Sequence, residues 1–313
     1  MNAVKELDAS FFGPTPLVDE EGLGLKLETR QLGASYKMRG IRSYLAELPF
    51  GVRQLEVLSA GNMARSLALA IRGTGRRLRA CVPDTIPAIK AGALRELGVD
   101  LQKLSFQELW SRVENVDPRP ELVHPIDSPA ILSGYGSLAR ELLGQSPGVD
   151  EVILPFGVGG LTLGVAFELK RVRPELRIVA AENAFLAPLA AAYRNGESSP
   201  VAGTRSWIDA IGTPRVLPRV FDAVRTGKVP GLGDAGAPLL DEIRLVEPDV
   251  ALAHARSFYR RRGETLEGAA AIAYAAARGD ARETLRLDGS GRVGAHPVVV
   301  LSGGNVDPEL LRF

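Results

Sequence analysis

The chain has 313 residues, of which 45% are hydrophobic and 24% charged, and its 38 Lys and Arg nearly balance 37 Asp and Glu. This is the composition of a soluble globular protein of about two domains, and a net charge of +1 argues against a nucleic-acid or membrane-surface binder. The single cysteine, Cys81, and three scattered histidines, His124, His254 and His296, leave no disulfide framework, CxxC pair or HExxH site.

The opening residues, Met1 to Asp8, carry acids and no continuous apolar core, so no signal peptide is expected. Leu55 to Ser59 reads as a strand, followed after Gly61 by a helical pattern from Met63 to Arg72. Leu78 to Val82 reads as a second strand, Pro87 to Leu97 as a helix with proline in its first turn, and Val99 to Leu104 as a third strand. Glu151 to Leu154 is a strand entering a glycine turn, and Leu161 to Val172 has helical spacing. Arg177 to Ala181 is again a strand, and the stretch from Asn195 to Gly236 has weak periodicity and is expected to be irregular surface. Val250 to Arg262 and Glu267 to Arg278 read as helices, and Pro297 to Leu301 as a buried strand. The longest apolar stretch, Gly268 to Ala277, falls well short of the ~20 residues that span a bilayer. A soluble cytoplasmic protein is therefore expected.

Strands separated by helices indicate βαβ units and parallel sheets. Such sheets are covered on both faces, which explains why Val298 to Leu301 is continuously apolar rather than alternating.

Pro155-Phe156-Gly157-Val158-Gly159-Gly160-Leu161 follows a strand and opens a helix, where backbone amides and the helix N-terminus suit an anion such as a phosphate. A bare tight turn is the competing reading. Asp288 to Gly294 satisfies GxGxxG literally, but it precedes a strand and opens no helix, so a surface turn is expected. Neither GxxxxGK[ST] nor GxSxG occurs.

Four segments then combine: Ser35-Tyr36-Lys37-Met38-Arg39-Gly40, Ser59-Ala60-Gly61-Asn62, the Gly157 loop, and Leu301-Ser302-Gly303-Gly304-Asn305. Three of them sit at strand ends, where open α/β sheets bind ligands. With Thr15-Pro16-Leu17, Lys26-Leu27-Glu28, His124-Pro125-Ile126-Asp127, Gly134-Tyr135-Gly136-Ser137, Ala181-Glu182 and Glu267-Gly268-Ala269 in the same order, the chain resembles fold-type II pyridoxal-phosphate enzymes. The closest resemblance is to serine/threonine dehydratases, the threonine ammonia-lyases.

The resemblance implies two parallel-rich αβα domains of the tryptophan synthase β-subunit-like architecture. Residues 53–136 would form a small mobile domain, and residues 1–52 with 137–313 a large cofactor-binding one. It also implies pyridoxal 5′-phosphate on Lys37 as a Schiff base, with Tyr36 against the ring. Asn62 would meet the 3′-oxygen and Ser302 the ring nitrogen. The phosphate would lie on Gly157, Val158, Gly159, Gly160 and Leu161, and the substrate on Ser59, Ala60, Gly61, Met63 and Tyr135. The implied reaction is α,β-elimination from a β-hydroxy amino acid to a 2-oxo acid and ammonia.

Ala60 stands where serine racemases carry a second acid/base, which argues against racemisation. Met63 replaces the family histidine, and Tyr135 the glutamine of its Gly-Gln-Gly-Thr segment, so the exact substrate stays open. Cysteine-synthase-type β-replacement and a non-catalytic cofactor or amino-acid binder are the alternatives. No metal is expected, because Glu182 matches the family's cation ligand but Pro188 stands at its Asp position. Glu267 is open between an active-site acid and a cap. A homodimer with a small amino-acid substrate is implied, and no C-terminal regulatory domain is expected after Phe313.

Overall fold

A computed structural model describes residues 13–115, 117, 119–204, 206–208, 211–289 and 293–312. The reading of the extreme N-terminus lies outside these residues, as do positions 290–292 of the GxGxxG segment.

The chain opens with an antiparallel pair, β1 (Leu17–Glu20) and β2 (Leu23–Leu27), and then enters α1 (Lys37–Glu47). A first βα run follows: β3 (Gln54–Leu58), α2 (Asn62–Ala70), β4 (Arg77–Pro83), α3 (Ala88–Glu96), β5 (Asp100–Leu104), α4 (Phe106–Glu114) and β6 (Leu122–Val123). The long α5 (Pro129–Gln145) leads to β7 (Glu151–Pro155), α6 (Gly160–Val172), β8 (Arg177–Asn183) and α7 (Pro188–Asn195). Next come α8 (Pro218–Thr226), the short pair β9 (Lys228–Val229) and β10 (Gly233–Asp234), and β11 (Glu242–Val246). The chain ends with α9 (Pro248–Arg262), α10 (Gly268–Ala277), β12 (Glu283–Arg286), β13 (Pro297–Leu301) and α11 (Pro308–Leu311).

Two main sheets result. The larger has the order β1-β2-β13-β7-β8-β11-β12, parallel from β2 to β11 with an antiparallel strand at each edge. The smaller, β5-β4-β3-β6, is parallel throughout. The α/β class expected from the sequence is the one observed.

Side chains of a strand alternate between faces. Val152, Leu154, Ile178, Ala180, Val298 and Val300 enter one apolar core, while Ile153, Val179, Ala181, Val299 and Leu301 enter a second. Both faces of the large sheet are thus buried. The first core continues without a break through α1, α5 and α6 into the small sheet, and the second holds α9 and α10.

Helix α5 joins the sheets because glycines let it approach closely. A Cβ on Gly134 would lie 2.6 Å from the Arg39 carbonyl of α1, and one on Gly164 of α6 would strike the Leu132 carbonyl. Beside this junction lies a buried ionic cluster. Arg39 reaches both Glu28 oxygens at 2.8 Å and Glu141 at 2.8 and 3.0 Å, while Lys26 pairs with Glu141 and donates to the Thr15 carbonyl at 2.7 Å.

The expectation for residues 195–236 needs correction: the stretch contains α8. Its Val220, Phe221 and Val224 turn inward at helical spacing, but over nine residues flanked by glycine and proline the pattern is faint. Among the described residues no helix is long and apolar enough to cross a membrane.

Candidate active site

The C-terminal ends of β3, β7 and β13 carry the Ser59, Gly157 and Ser302 segments, and the Lys37 loop meets the last of these directly. Ser35 bridges to Gly303, and the Tyr36 amide donates to the Ser302 carbonyl at 3.0 Å. Lys37 therefore begins α1 beside the end of β13. Its position is reinforced from within the helix, because Arg39, two residues on, is locked in the ionic cluster.

The Lys37 amine is half-buried between two aromatic rings, 4.6 Å from the Tyr36 centroid and 5.5 Å from that of Tyr135. The rings lie 4.9 Å apart at 58°. Loss of hydration lowers the amine to about 8, while the nearby Glu267 carboxylate acts in the opposite direction. Tyr135 also links the lysine to the glycine loop, since a Cβ on Gly160 would lie 3.5 Å from its ring.

Gly159 is the N-cap of α6 at φ +97°, a backbone conformation that favours glycine, and a Cβ there would meet Val220 at 2.5 Å. Gly160 packs just as closely on the Pro125 carbonyl, at 2.7 Å from its would-be Cβ. The His124 ring holds that proline turn, with Nε2 3.0 Å from the Val113 carbonyl and Nδ1 accepting the Ile126 and Asp127 amides. The first amides of a helix have no partner within it, so the Gly157 to Leu161 segment offers donors to an anion.

Ser302 is 1% exposed, and its hydroxyl has no hydrogen-bond partner among the described residues. Buried hydroxyls normally have one, so this oxygen is suited to a polar ligand atom.

Across the cleft, the Ser59 hydroxyl accepts the Gly61 amide at 3.1 Å, Ala60 is half-buried, and Gly61 is exposed. Asn62 starts α2 and donates from Nδ2 to Glu267 at 2.7 Å. Met63 turns inward, and the Tyr135 hydroxyl lies 3.7 Å from its sulfur. Met63 and Tyr135 are both buried.

Two residues gain significance only in three dimensions. Glu267, open between two roles on sequence, makes no side-chain cap for α10 and instead holds Asn62 beside Lys37. Burial raises its carboxyl to about 7, against the Asn62 hydrogen bond and the Lys37 charge. Asn305 donates to the Gly33 carbonyl at 2.7 Å and to Asn62 Oδ1 at 2.9 Å. It closes the Ser-Gly-Gly-Asn motif, which was the one sequence signal for it. Glu182 does something else: its buried carboxylate accepts the Leu189 and Ala190 amides at 3.0 and 2.8 Å and caps α7.

A reactive amine, an amide-lined glycine turn and an unpartnered buried hydroxyl fit the aldehyde, phosphate and ring nitrogen of pyridoxal phosphate. The profile of the pyridoxal-phosphate dependent enzymes matches residues 9–303. The chain belongs to that family. A Sinorhizobium fredii relative, provisionally named a threonine dehydratase, is 30% identical over 306 residues, covering 93% of this chain and 84% of its own. The L-threonine ammonia-lyase of Thermotoga maritima is 28% identical, covering 92% and 68% respectively. Among solved structures, the processed threonine deaminase isoform 2 of Solanum lycopersicum superposes with TM-score 0.75 at 24% identity, over 95% of this chain and 81% of that one. That likeness establishes the fold of this pyridoxal-phosphate enzyme.

Proposed function

We propose that the chain is an ammonia-lyase that eliminates water from L-threonine or L-serine and releases an enamine, which takes up water again to give a 2-oxo acid and ammonia. The observation that carries this reading is the Lys37 amine, lowered by burial, in a segment whose Tyr36 amide bonds the backbone of Ser302, a residue whose buried hydroxyl has no partner among the described residues. The names of the Sinorhizobium and Thermotoga relatives support the substrate class.

When bound, pyridoxal phosphate supplies an electron sink conjugated to the substrate α-carbon. The protein's own residues do the rest. The Gly157 to Leu161 amides would hold the phosphate, Asn62 would donate to the 3′-oxygen, and Tyr36 would pack against the ring. Ser302, a neutral hydroxyl, would meet the ring nitrogen without holding a proton on it, which favours prompt loss of a β-substituent. Lys37 Nζ, its basicity lowered by burial so that a substantial fraction is neutral at about pH 8, takes the proton from the α-carbon. The substrate carboxylate rests on the amides around Gly61 and the N-terminus of α2, with the Ser59 hydroxyl at its edge. Met63 and Tyr135, stacked behind, shape the wall near the β-substituent.

Ala60 offers no proton on the opposite face, so the D-enantiomer is not formed. Residues 53–136 close as a small mobile domain over residues 1–52 and 137–313, with α5 running through the boundary as the shared element. The family resemblance supports a cytoplasmic homodimer, which light scattering tests.

Incubation with L-threonine, L-serine and their β-substituted analogues tests the reaction. Oxo acid with stoichiometric ammonia is the expected result. Consumption only with an added thiol nucleophile would identify a β-replacement enzyme, and no turnover despite bound cofactor a binder.

A further inference from the structure

We propose that Asn305 is a positioning residue which, together with Glu267, fixes the orientation of the Asn62 amide so that one N–H remains for the 3′-oxygen of the cofactor. A backbone carbonyl can only accept. The Gly33 backbone carbonyl takes a hydrogen bond from the Asn305 side chain at 2.7 Å, so the atom facing it is nitrogen. The same nitrogen points at Asn62 at 2.9 Å, so the atom receiving it there is oxygen. The amide nitrogen of Asn62 then faces Glu267 Oε2 at 2.7 Å. Glu267 is itself held, its amide donating to the Gly303 carbonyl at 3.1 Å and its carboxylate receiving the Asn305 backbone amide.

A primary amide has two N–H donors and one carbonyl. Asn305 uses both donors, on Gly33 and Asn62. Asn62 uses its carbonyl on Asn305 and one donor on Glu267. One N–H is left, on the nitrogen that faces Glu267. Without Asn305 the Asn62 side chain could rotate by half a turn, presenting a second acceptor to the 3′-oxygen. The chain Gly33–Asn305–Asn62–Glu267 also crosses between the sheets, since Asn62 follows β3 of the small sheet and Asn305 follows β13 of the large one.

The inference rests on the cofactor assignment but not on any substrate. Its test is a double-mutant cycle read by pyridoxal-phosphate titration of the apoprotein, following absorbance and the ratio of the ultraviolet to the visible cofactor band. Asn305→Ala is expected to weaken cofactor binding about tenfold, the size of one hydrogen bond, and to change the band ratio. In the Asn62→Ala background the same substitution should add almost nothing, whereas combined with Ser302→Ala it should add in full. Equal losses with and without Asn62 would overturn the proposal, because they assign Asn305 a general structural role. Asn305→Asp replaces the amide with an isosteric group that cannot donate to Asn62, and serves in the cycle should the alanine variant lose its cooperative melting transition. It should bind at least as weakly as Asn305→Ala, and wild-type binding by Asn305→Asp would refute the mechanism. A wild-type chain that takes up no cofactor would refute the cofactor assignment instead, so the two failures are separable.

Discussion

At the scale of single residues, the amine of Lys37 and the carboxyl of Glu267 are displaced toward each other, to about 8 and about 7, chiefly because both are buried. Only a neutral amine attacks an aldehyde, and an amine titrating near 8 is about one-tenth neutral at pH 7 and about nine-tenths at pH 9. Uptake of pyridoxal phosphate by the apoprotein, followed by stopped-flow absorbance, should therefore accelerate about tenfold across that interval. Glu267→Gln removes the negative charge that supports the ammonium, so the profile should shift to lower pH; an unmoved profile would separate Glu267 from the lysine.

The same two groups affect stability with opposite signs. Between about 8 and 10.5 the unfolded chain holds a Lys37 proton that the folded chain has lost, so this group's contribution rises with pH. Between 4.5 and about 7 the folded chain holds a Glu267 proton that the unfolded chain has lost, so that contribution falls as pH rises.

At the scale of elements, the first turns of α1 and α6 depend on unlike devices. Helix α6 begins with Gly159 in a left-handed conformation against Val220. Gly159→Ala should cost about 1–3 kcal/mol in urea unfolding and reduce cofactor affinity, since strain and overlap both act at the phosphate turn. Helix α1 is instead anchored by charge. Arg39, with an 8% exposed side chain, forms an ion pair with the fully buried Glu28. Removing one member of a buried pair leaves the other uncompensated, so Arg39→Ala should cost about 3–5 kcal/mol by the same measurement. Near-neutral unfolding would mean that the cluster is solvated.

These elements also show what the sequence can and cannot reveal. Strands β8 and β13 are readable because burial on both faces leaves continuous apolar runs, Ile178 to Ala181 and Val298 to Leu301, and the strands expected over 177–181 and 297–301 lie close to those observed. Strand β2 was not, because Lys26 interrupts Leu23, Leu25 and Leu27 as a polar residue while being fully buried on Glu141. The glycine loop and Lys37 were legible as motifs through a family resemblance. Glu267 was ambiguous because an acid before an apolar helix also reads as a cap, and only the fold brings it from 205 residues away onto Asn62.

At the scale of the whole molecule, the site is assembled from two sheets that share one apolar core through α1, α5 and α6. The loops that line it belong to different sheets: Ser59 to Met63 follow β3, and Gly157 to Leu161 and Ser302 follow strands of the large sheet. A ligand bridging both loops stabilises their relative placement, not just one turn. Anything that binds only the folded state adds stability by mass action, about 2.7 kcal/mol at a hundredfold excess over its dissociation constant. Addition of pyridoxal phosphate to apoprotein should therefore raise the melting temperature, and hydrogen exchange should slow together in both loop groups. Protection confined to residues 157–161 would describe a phosphate site without a cofactor ring reaching Asn62. Protection of both, lost from residues 59–63 alone in Asn305→Ala, would locate the coupling between the sheets in the hydrogen-bond chain that ends on Asn62.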